Sequence, residues 1–204
     1  MIDLFNIDCV QAMRGMKDKA FDLAIVDPPY GIGYENGGQY FDSARYEKKK
    51  WDTTPSSEYF EQLRRVSKNQ IIWGGNYFEM PPSRCFVVWY KSDEVKGRTF
   101  SECEYAWTSF ATPARHFELK PFQRNGERIH PTQKPVKLYE WLLKNYAKPG
   151  DTILDTHLGS GSIALACDIM GFDLVGFEID TEYFYAAKKR LEEHKRQGKL
   201  VLDI

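Results

Sequence analysis

Short apolar runs alternate with amphipathic stretches of helical length along most of the chain. Compact runs rich in branched and aromatic residues are typical of buried strands, whereas apolar residues spaced three and four apart are typical of helices. Strands that alternate with helices indicate an α/β fold built on a mostly parallel sheet. The pattern predicts strands at 4–7, 23–26, 70–73, 86–90, 105–110, 152–154 and 174–177, and helices at 10–16, 57–66, 136–146, 162–170 and 181–197.

Two aromatic runs interrupt this alternation, because no helix is predicted between them. The runs at 86–90 and 105–110 are separated by a charged turn at 91–98. Consecutive strands that lack an intervening helix usually pair antiparallel. We therefore expect an antiparallel hairpin at one edge of the sheet.

The strand at 23–26 ends abruptly in Asp27, Pro28, Pro29 and Tyr30. In open α/β sheets, ligands bind at the carboxyl ends of the strands. The prolines lack an N–H group and have fixed φ angles, so their carbonyls are rigid acceptors that suit a flat ring bearing an amino group. A plain strand terminator, with a turn-forming aspartate and a tyrosine on the core, explains the same residues. The tetrapeptide alone does not decide between the two interpretations.

A glycine-rich turn at 155–164 lies between a predicted strand and a predicted helix. Glu178 ends the next strand about 20 residues later, where nucleoside-binding α/β folds place an acid on ribose hydroxyls. The spacing of Gly159 and Gly161 also fits the fingerprint of NAD-binding proteins, and a purely structural turn explains it as well. The acids Asp8, Asp155 and Glu178 favour the ribose, amine and sulfonium of S-adenosylmethionine over the pyrophosphate of a dinucleotide.

A third polar stretch, at 130–138, leads into the helix that precedes the glycine turn, where simple helix capping is the common explanation. Taken together and in this order, the three stretches resemble the amino-specific DNA methyltransferases of the permuted β group, in which D-P-P-Y precedes the glycine segment. The resemblance covers most of the chain and is carried by residues 6–9, 27–30, 73–78, 130–135, 155–162 and 177–180.

The resemblance implies a Rossmann-like methyltransferase fold with a circularly permuted motif order and S-adenosylmethionine as the cofactor. It implies a single catalytic domain over 1–204 that transfers a methyl group to the exocyclic amino group of a flipped DNA base. Adenine N6 is the preferred target, because cytosine members of the family more often begin the tetrapeptide with Ser; N4 of cytosine is the alternative. The rivals from other classes are an NAD-dependent oxidoreductase and a catalytically inactive DNA- or cofactor-binding module.

The same resemblance implies roles for individual residues. The catalytic residues it implies are Asp27, Pro28, Pro29 and Tyr30. His157 replaces an aromatic residue that the family commonly places beside the cofactor. The implied cofactor-binding residues are Asp8, Cys9, Asp27, Thr132, Lys134, Asp155, His157, Gly159, Ser160, Gly161, Ser162, Glu178 and Ile179.

A net charge of −1 does not favour nucleic-acid binding overall, although a local basic patch can supply it. No insertion is long enough for a separate target-recognition domain, which leaves the loops at 31–54 and 91–128 to contact DNA. A solvated surface explains charge runs of this kind equally well. The candidate DNA-binding residues are Arg45, Lys48, Lys49, Lys50, Trp51, Arg115, Lys120, Arg124 and Arg128.

The remaining composition bears on metal binding, cellular location and partners. The 204 residues include four cysteines, and these are too far apart for a zinc site or a disulfide framework, so we expect no metal. We see neither a secretory signal nor an apolar run long enough for a membrane span, and we expect a cytoplasmic protein. DNA is the expected partner. A small recognition surface is compatible with a homodimer or loose specificity, and a restriction-modification setting would add a cognate endonuclease.

Overall fold

Eight strands form one sheet in the computed structural model, which describes residues 1–33, 52–97, 101–120 and 129–202. Two short 3-10 turns lie at Gly75–Tyr77 and Asp93–Val95. The strands are β1 (Ile2–Asn6), β2 (Phe21–Val26), β3 (Ser67–Trp73), β4 (Phe86–Tyr90), β5 (Cys103–Thr108), β6 (Arg115–Glu118), β7 (Thr152–Asp155) and β8 (Asp173–Glu178). The α-helices are α1 (Cys9–Arg14), α2 (Ser57–Val66), α3 (Val136–Tyr146), α4 (Ser162–Met170) and α5 (Thr181–Leu202).

The strands follow the order β1-β8-β7-β2-β3-β5-β4-β6 across the sheet. The first five are parallel neighbours, β5 is antiparallel to both β3 and β4, and β6 is parallel to β4. Only β5 therefore runs against the other strands of the described sheet. The predicted α/β fold, the mostly parallel sheet and the antiparallel hairpin are confirmed.

One strand was missed, and it changes the position of the hairpin. Residues 115–118, predicted as part of a DNA-contacting loop, form β6 and pair with β4, with Val88 opposite His116. The outer edge of the sheet is thus β6 and not the hairpin. The sequence Arg-His-Phe-Glu has one apolar residue, Phe117, which packs on the core, while charged side chains are common on edge strands. Its pattern is too short and too polar to predict a strand.

Two boundaries differ from the prediction by three residues or more. β3 begins at Ser67, directly after α2, because its polar first residues are held by Asp22 of β2: Lys68 Nζ lies 2.6 Å from the Asp22 carboxylate. Helix α5 continues through Gly198 to Leu202, so the predicted end at Gly198 is wrong. Glycine costs a helix only about 1 kcal/mol and does not have to end it.

Helices cover both faces of the sheet, and the strand residues alternate between two cores. Leu23 and Ile25 of β2 face the cluster that contains α3, α4 and α5 residues, whereas Ala24 and Val26 face the cluster that contains α1 and α2 residues. This two-sided burial explains why β2 is a continuous apolar run. Ligand access is left at the ends of the strands.

Candidate active site

The carboxyl ends of the parallel strands border one cleft of about 1490 Å³. β2, which leads to Asp27, pairs with β7, which ends at Asp155; Leu23 lies opposite Ile153. The strands that lead to the tetrapeptide and to the glycine turn are therefore neighbours in the sheet. Asp27 and Gly159 both line the same cleft, so the tetrapeptide and the glycine turn face one shared space.

The side chain of Asp27 is oriented by two donors. The Tyr30 hydroxyl donates to Oδ1 at 2.7 Å, and the Lys134 ammonium lies 2.5 Å from Oδ2. The Tyr30 ring is itself fixed, because it stacks on Tyr77 with ring centroids 5.0 Å apart and lies over Gly74. A Cβ atom at Gly74 would fall 2.2 Å from the Tyr30 ring, so the glycine makes this packing sterically feasible.

Lys134 links Asp27 to a second, partly buried acid, Glu104 of β5. Its side chain is 3% exposed, and its Nζ lies 3.1 Å from Glu104 Oε2. Lys91 approaches the other oxygen of Glu104 at 2.7 Å. Burial alone would lower the pKa of Lys134, but Asp27 and Glu104 raise it; burial would likewise raise the pKa of Glu104, but the two ammonium groups lower it to about 2. Glu104 and Lys134 are therefore both charged.

We call the cluster formed by Asp27, Tyr30, Lys91, Glu104 and Lys134 the catalytic half of the cleft. Sequence reasoning missed Lys91 and Glu104. A signal for Glu104 was available, because side chains two residues apart in a strand share a face and Glu104 precedes the buried Ala106 and Thr108 by two and four residues. A charged residue at a core-facing strand position requires a buried partner.

The remaining lining contains the glycine turn and its acids, and we call Asp8, Asp155, Glu178 and residues 156–161 the glycine half. Glu178 Oε2 accepts the Gly159 N–H at 2.8 Å, and Oε1 accepts the Asp180 N–H at 2.9 Å. Gly159 and Gly161 both have positive φ angles, 50° and 68°. Glu178 thus shapes the turn through hydrogen bonds to its backbone.

Asp155 lies behind the surface of the cleft. Its Oδ1 accepts the backbone N–H of His157 at 3.0 Å. Burial, followed by the nearby charges of Asp27 and Glu178, raises the pKa of Asp155 to about 8. Burial also raises the pKa of Glu178. Unlike the catalytic half, these two acids have backbone donors and no ion pair within the part of the chain that the structure describes.

A chain of hydrogen bonds sets the tautomer of His157. Tyr59 of α2 is bonded to Thr156 at 2.7 Å between their oxygens, and Thr156 Oγ1 lies 2.9 Å from His157 Nδ1. Burial lowers the pKa of His157 to about 4, so the ring is neutral. Among the described residues, each hydroxyl hydrogen of this series has an acceptor when the Tyr59 hydroxyl donates to Thr156 and the Thr156 hydroxyl donates to His157 Nδ1. Nε2 then carries the proton.

Most residues predicted to bind the cofactor do line the cleft: Asp8, Cys9, Asp27, Thr132, Lys134, His157, Gly159, Ser160, Glu178 and Ile179. Asp155, Gly161 and Ser162 lie behind the lining. The Ser162 hydroxyl bonds to that of Ser160 at 3.0 Å and accepts from Arg190 at 3.0 Å. A Cβ atom at Gly161 would meet the side chain of Ala187 at 3.0 Å, so this glycine permits close packing of α5.

Two of the predicted DNA-binding residues can be located. Arg115 is on β6 and donates to the Asn145 side chain at 2.6 Å, and Lys120 is exposed just beyond that strand. Arg45, Lys48, Lys49, Lys50, Trp51, Arg124 and Arg128 lie outside the described residues. Within the described ranges, no helix is long and apolar enough to cross a membrane, and no group of three or more His, Cys, Asp or Glu residues could hold a metal ion.

A mostly parallel sheet with an acid-lined cleft at the carboxyl ends of its strands defines an α/β protein of the Rossmann-like type. The model of the family N6_N4_Mtase, DNA methylase, matches residues 83–189. The chain therefore belongs to this DNA methylase family. The family model leaves the choice between adenine N6 and cytosine N4 open.

Individual relatives agree with this assignment. The chain is 26% identical to the putative methylase YubD of Escherichia coli K12, over 93% of this chain and 89% of that protein. It is 25% identical to the type II methyltransferase M.HpaI of Haemophilus parainfluenzae, over 91% of this chain and 72% of that protein. The fold is similar to that of the M1.HpyAVI–SAM complex, with a TM-score of 0.62 and 22% identity over 94% of this chain and 100% of that one.

Proposed function

We propose that this protein transfers a methyl group from S-adenosylmethionine to the exocyclic amino group of a DNA base, with adenine N6 as the preferred target. The observation that carries the proposal is the placement of Asp27, with its carboxylate oriented by Tyr30 and Lys134, across one cleft from the glycine turn. Membership of the DNA methylase family supports it. The preference for adenine rests on the Asp that begins the tetrapeptide.

The chemistry of the glycine half fits S-adenosylmethionine. When bound, this cofactor supplies a methyl group on a positively charged sulfur. Asp8, Glu178 and the buried Asp155 surround the turn with carboxylates, which suit a cationic ligand and ribose hydroxyls better than a pyrophosphate. Exposed Ile179 offers an apolar surface at the same end. M1.HpyAVI, whose fold is similar, forms a complex with SAM, and this supports the same choice of cofactor.

The catalytic half suits activation of an aromatic amino group. The lone pair of such a nitrogen is delocalised into its ring, which makes it a poor nucleophile. The carboxylate of Asp27 and the carbonyl of Pro28 would accept its two hydrogens and hold its lone pair toward the methyl group. Asp27 is also placed to take the proton that the nitrogen loses. Lys134, which lies 2.5 Å from Oδ2, orients this carboxylate.

The target base must leave the duplex to reach Asp27. Tyr30, which lines the cleft, is the proposed stacking platform, and the stacked ring of Tyr77, 45% exposed, extends it. We propose that the loops at 31–54 and 91–128 contact DNA, including Arg115 and Lys120, and that 1–204 acts as one catalytic domain. A homodimer and a cognate endonuclease remain predictions of the same proposal.

The alternatives make different predictions. An N4-cytosine enzyme would use the same residues on a different base. An inactive module would bind S-adenosylhomocysteine and DNA without transferring methyl groups. An NAD-dependent oxidoreductase is disfavoured by the acids around Gly159, which leave little to attract a pyrophosphate, and by the DNA methylase family. Thermal stabilisation by S-adenosylhomocysteine and not by NAD would confirm this.

The decisive experiment incubates the protein with S-adenosylmethionine and unmodified DNA and maps methylated bases at single-base resolution. We expect N6-methyladenine, and we expect Asp27→Ala to reduce transfer by about 1000-fold or more, because an oriented acceptor and base is lost. Glu58→Gln, at an exposed ion pair with Arg14, is the control and should retain full activity. Methylation of cytosine would reject only the adenine preference; full transfer by Asp27→Ala would reject the mechanism.

A further inference from the structure

The acid Glu104, whose side chain is 24% exposed, has no place in the mechanism described so far. Its two oxygens are shared between Lys134 at 3.1 Å and Lys91 at 2.7 Å. Burying a charged group costs more than burying an apolar side chain of similar size, even when the charge is paired. Stability therefore does not explain a carboxylate at a strand position that faces the core and the cleft.

The arrangement of charges suggests its role. Asp27, Lys134, Glu104 and Lys91 form an alternating row of two carboxylates and two ammonium groups, so their formal charges cancel. Lys134 is the only member that contacts both acids. An ammonium group shared in this way neutralises each carboxylate only in part, so Asp27 keeps its strength as a hydrogen-bond acceptor.

We propose that Glu104 is a positioning residue, which shares Lys134 with Asp27 and so controls how strongly that ammonium is bound to the catalytic carboxylate. Lys91 forms an ion pair with the other oxygen of the Glu104 carboxylate. This proposal rests on the proposed function, because it assigns Glu104 a role in the same methyl transfer. It involves no direct contact between Glu104 and the base.

Two single substitutions shift Lys134 in opposite directions. Glu104→Gln leaves Lys134 with Asp27 as its only carboxylate partner, which weakens Asp27 as an acceptor. Lys91→Met removes one of the two ammonium groups that contact Glu104. The Glu104 carboxylate then attracts Lys134 more strongly and draws it away from Asp27. The double variant restores equal numbers of positive and negative charges. Lys134 still has only Asp27 in the double variant, so the loss of Lys91 should cause no further loss once Glu104 is gone. This non-additivity separates an electrostatic role that acts through Glu104 from a merely structural one.

The test measures kcat at saturating DNA and cofactor, KM for S-adenosylmethionine, and thermal unfolding for the wild type, both single variants and the double variant. We expect Glu104→Gln to lower kcat about 10- to 100-fold and Lys91→Met about threefold, with KM changed less than about twofold. The double variant should be as active as Glu104→Gln alone. Lys68→Met, which removes an exposed ion pair to Asp22 at the opposite end of the sheet, should leave kcat unchanged.

Two outcomes would overturn the proposal. One is a Glu104→Gln enzyme with kcat within twofold of the wild type. The other is a double variant whose loss equals or exceeds the product of the two single losses. If Glu104→Gln does not fold, Lys91→Met decides, and unchanged kcat in that variant rejects the proposal. A wild-type protein that transfers no methyl group would instead reject the proposed function itself.

Discussion

The two halves of the cleft treat buried carboxylates in opposite ways. In the catalytic half, each acid is paired with an ammonium group, and the pKa of Glu104 falls to about 2. In the glycine half, the acids accept hydrogen bonds from backbone N–H groups, and burial raises the pKa of both Asp155 and Glu178. The first half has its positive charge built in, whereas the second needs a positive charge from its ligand.

This difference affects the state of each half before its ligand binds. Where an ammonium group is built in, as Lys134 is at Asp27, it orients the carboxylate before the base arrives. An acid without one is costly to ionise in the free protein, and a bound cation lowers that cost. The glycine half is therefore suited to a cationic ligand, as proposed above for S-adenosylmethionine. Three substitutions test the contrast, beginning with the largest expected effect.

Lys134→Met removes the cation that defines the catalytic half. We expect kcat to fall about 100- to 1000-fold, because Asp27 would lose the ammonium group that orients its carboxylate and Glu104 would be left with Lys91 alone. Methyl transfer at saturating substrates measures the effect. Lys137→Met, which removes an exposed pair with Glu140, is the matched control and should be neutral.

The same variant also tests the role that the family resemblance implied for Lys134, a contact with the carboxylate of the cofactor. If Lys134 serves mainly that carboxylate, KM for S-adenosylmethionine should rise while kcat changes little. That result would contradict the interpretation that Lys134 acts mainly as the counter-ion of Asp27.

Asp155→Asn removes the carboxylate with the raised pKa from the glycine half. The folded protein holds a proton on Asp155 up to about pH 8, whereas the unfolded chain releases it near its ordinary value of 3.8. The contribution of Asp155 to stability therefore falls as pH rises between these values. The variant should be more stable than the wild type at pH 8, and its advantage should shrink toward pH 5 by up to ~1.4 kcal/mol per pH unit.

Denaturant unfolding of the free protein at pH 5, 6.5 and 8 measures this advantage. Asp18→Asn, at an exposed acid that contacts Arg65, supplies the comparison and should show little change with pH. An equal difference between Asp155→Asn and the wild type at all three pH values would show that Asp155 is ionised throughout, and the contrast between the halves would be lost.

His157→Phe restores the aromatic residue that the related family commonly has at this position. It removes the acceptor of the Thr156 hydroxyl, so we expect the free energy of unfolding to drop by about 1 kcal/mol. Methyl transfer should stay within about threefold of the wild type, because the ring surface remains. Tyr59→Phe removes the other end of the chain, and the two losses should not add. Additive losses would mean that the hydrogen bonds act independently.

Much of the fold could be predicted from local patterns. The apolar run of β2 and the spacing of Tyr59, Phe60 and Leu63 in α2 are properties of short segments, and they predicted the elements. The edge strand β6 has no such pattern, because an exposed edge is stable with charged side chains. Its pairing with β4 depends on a neighbour 28 residues earlier, as for Arg115 opposite Val87.

The acids and glycines of the cleft could also be identified from the chain, because residue type and position at strand ends already indicate ligand chemistry. Only the tertiary structure decided which charges meet. Asp27 and Lys134 are 107 residues apart, and they come into contact with Glu104 because β5 is inserted next to β3 in the sheet. The periodicity of a segment indicates which of its side chains face the core. The partner of a charged side chain depends instead on the order of the strands in the sheet. The sequence therefore determined where the tetrapeptide and the glycine turn stand, and the fold determined that one is supplied with a cation and the other is not.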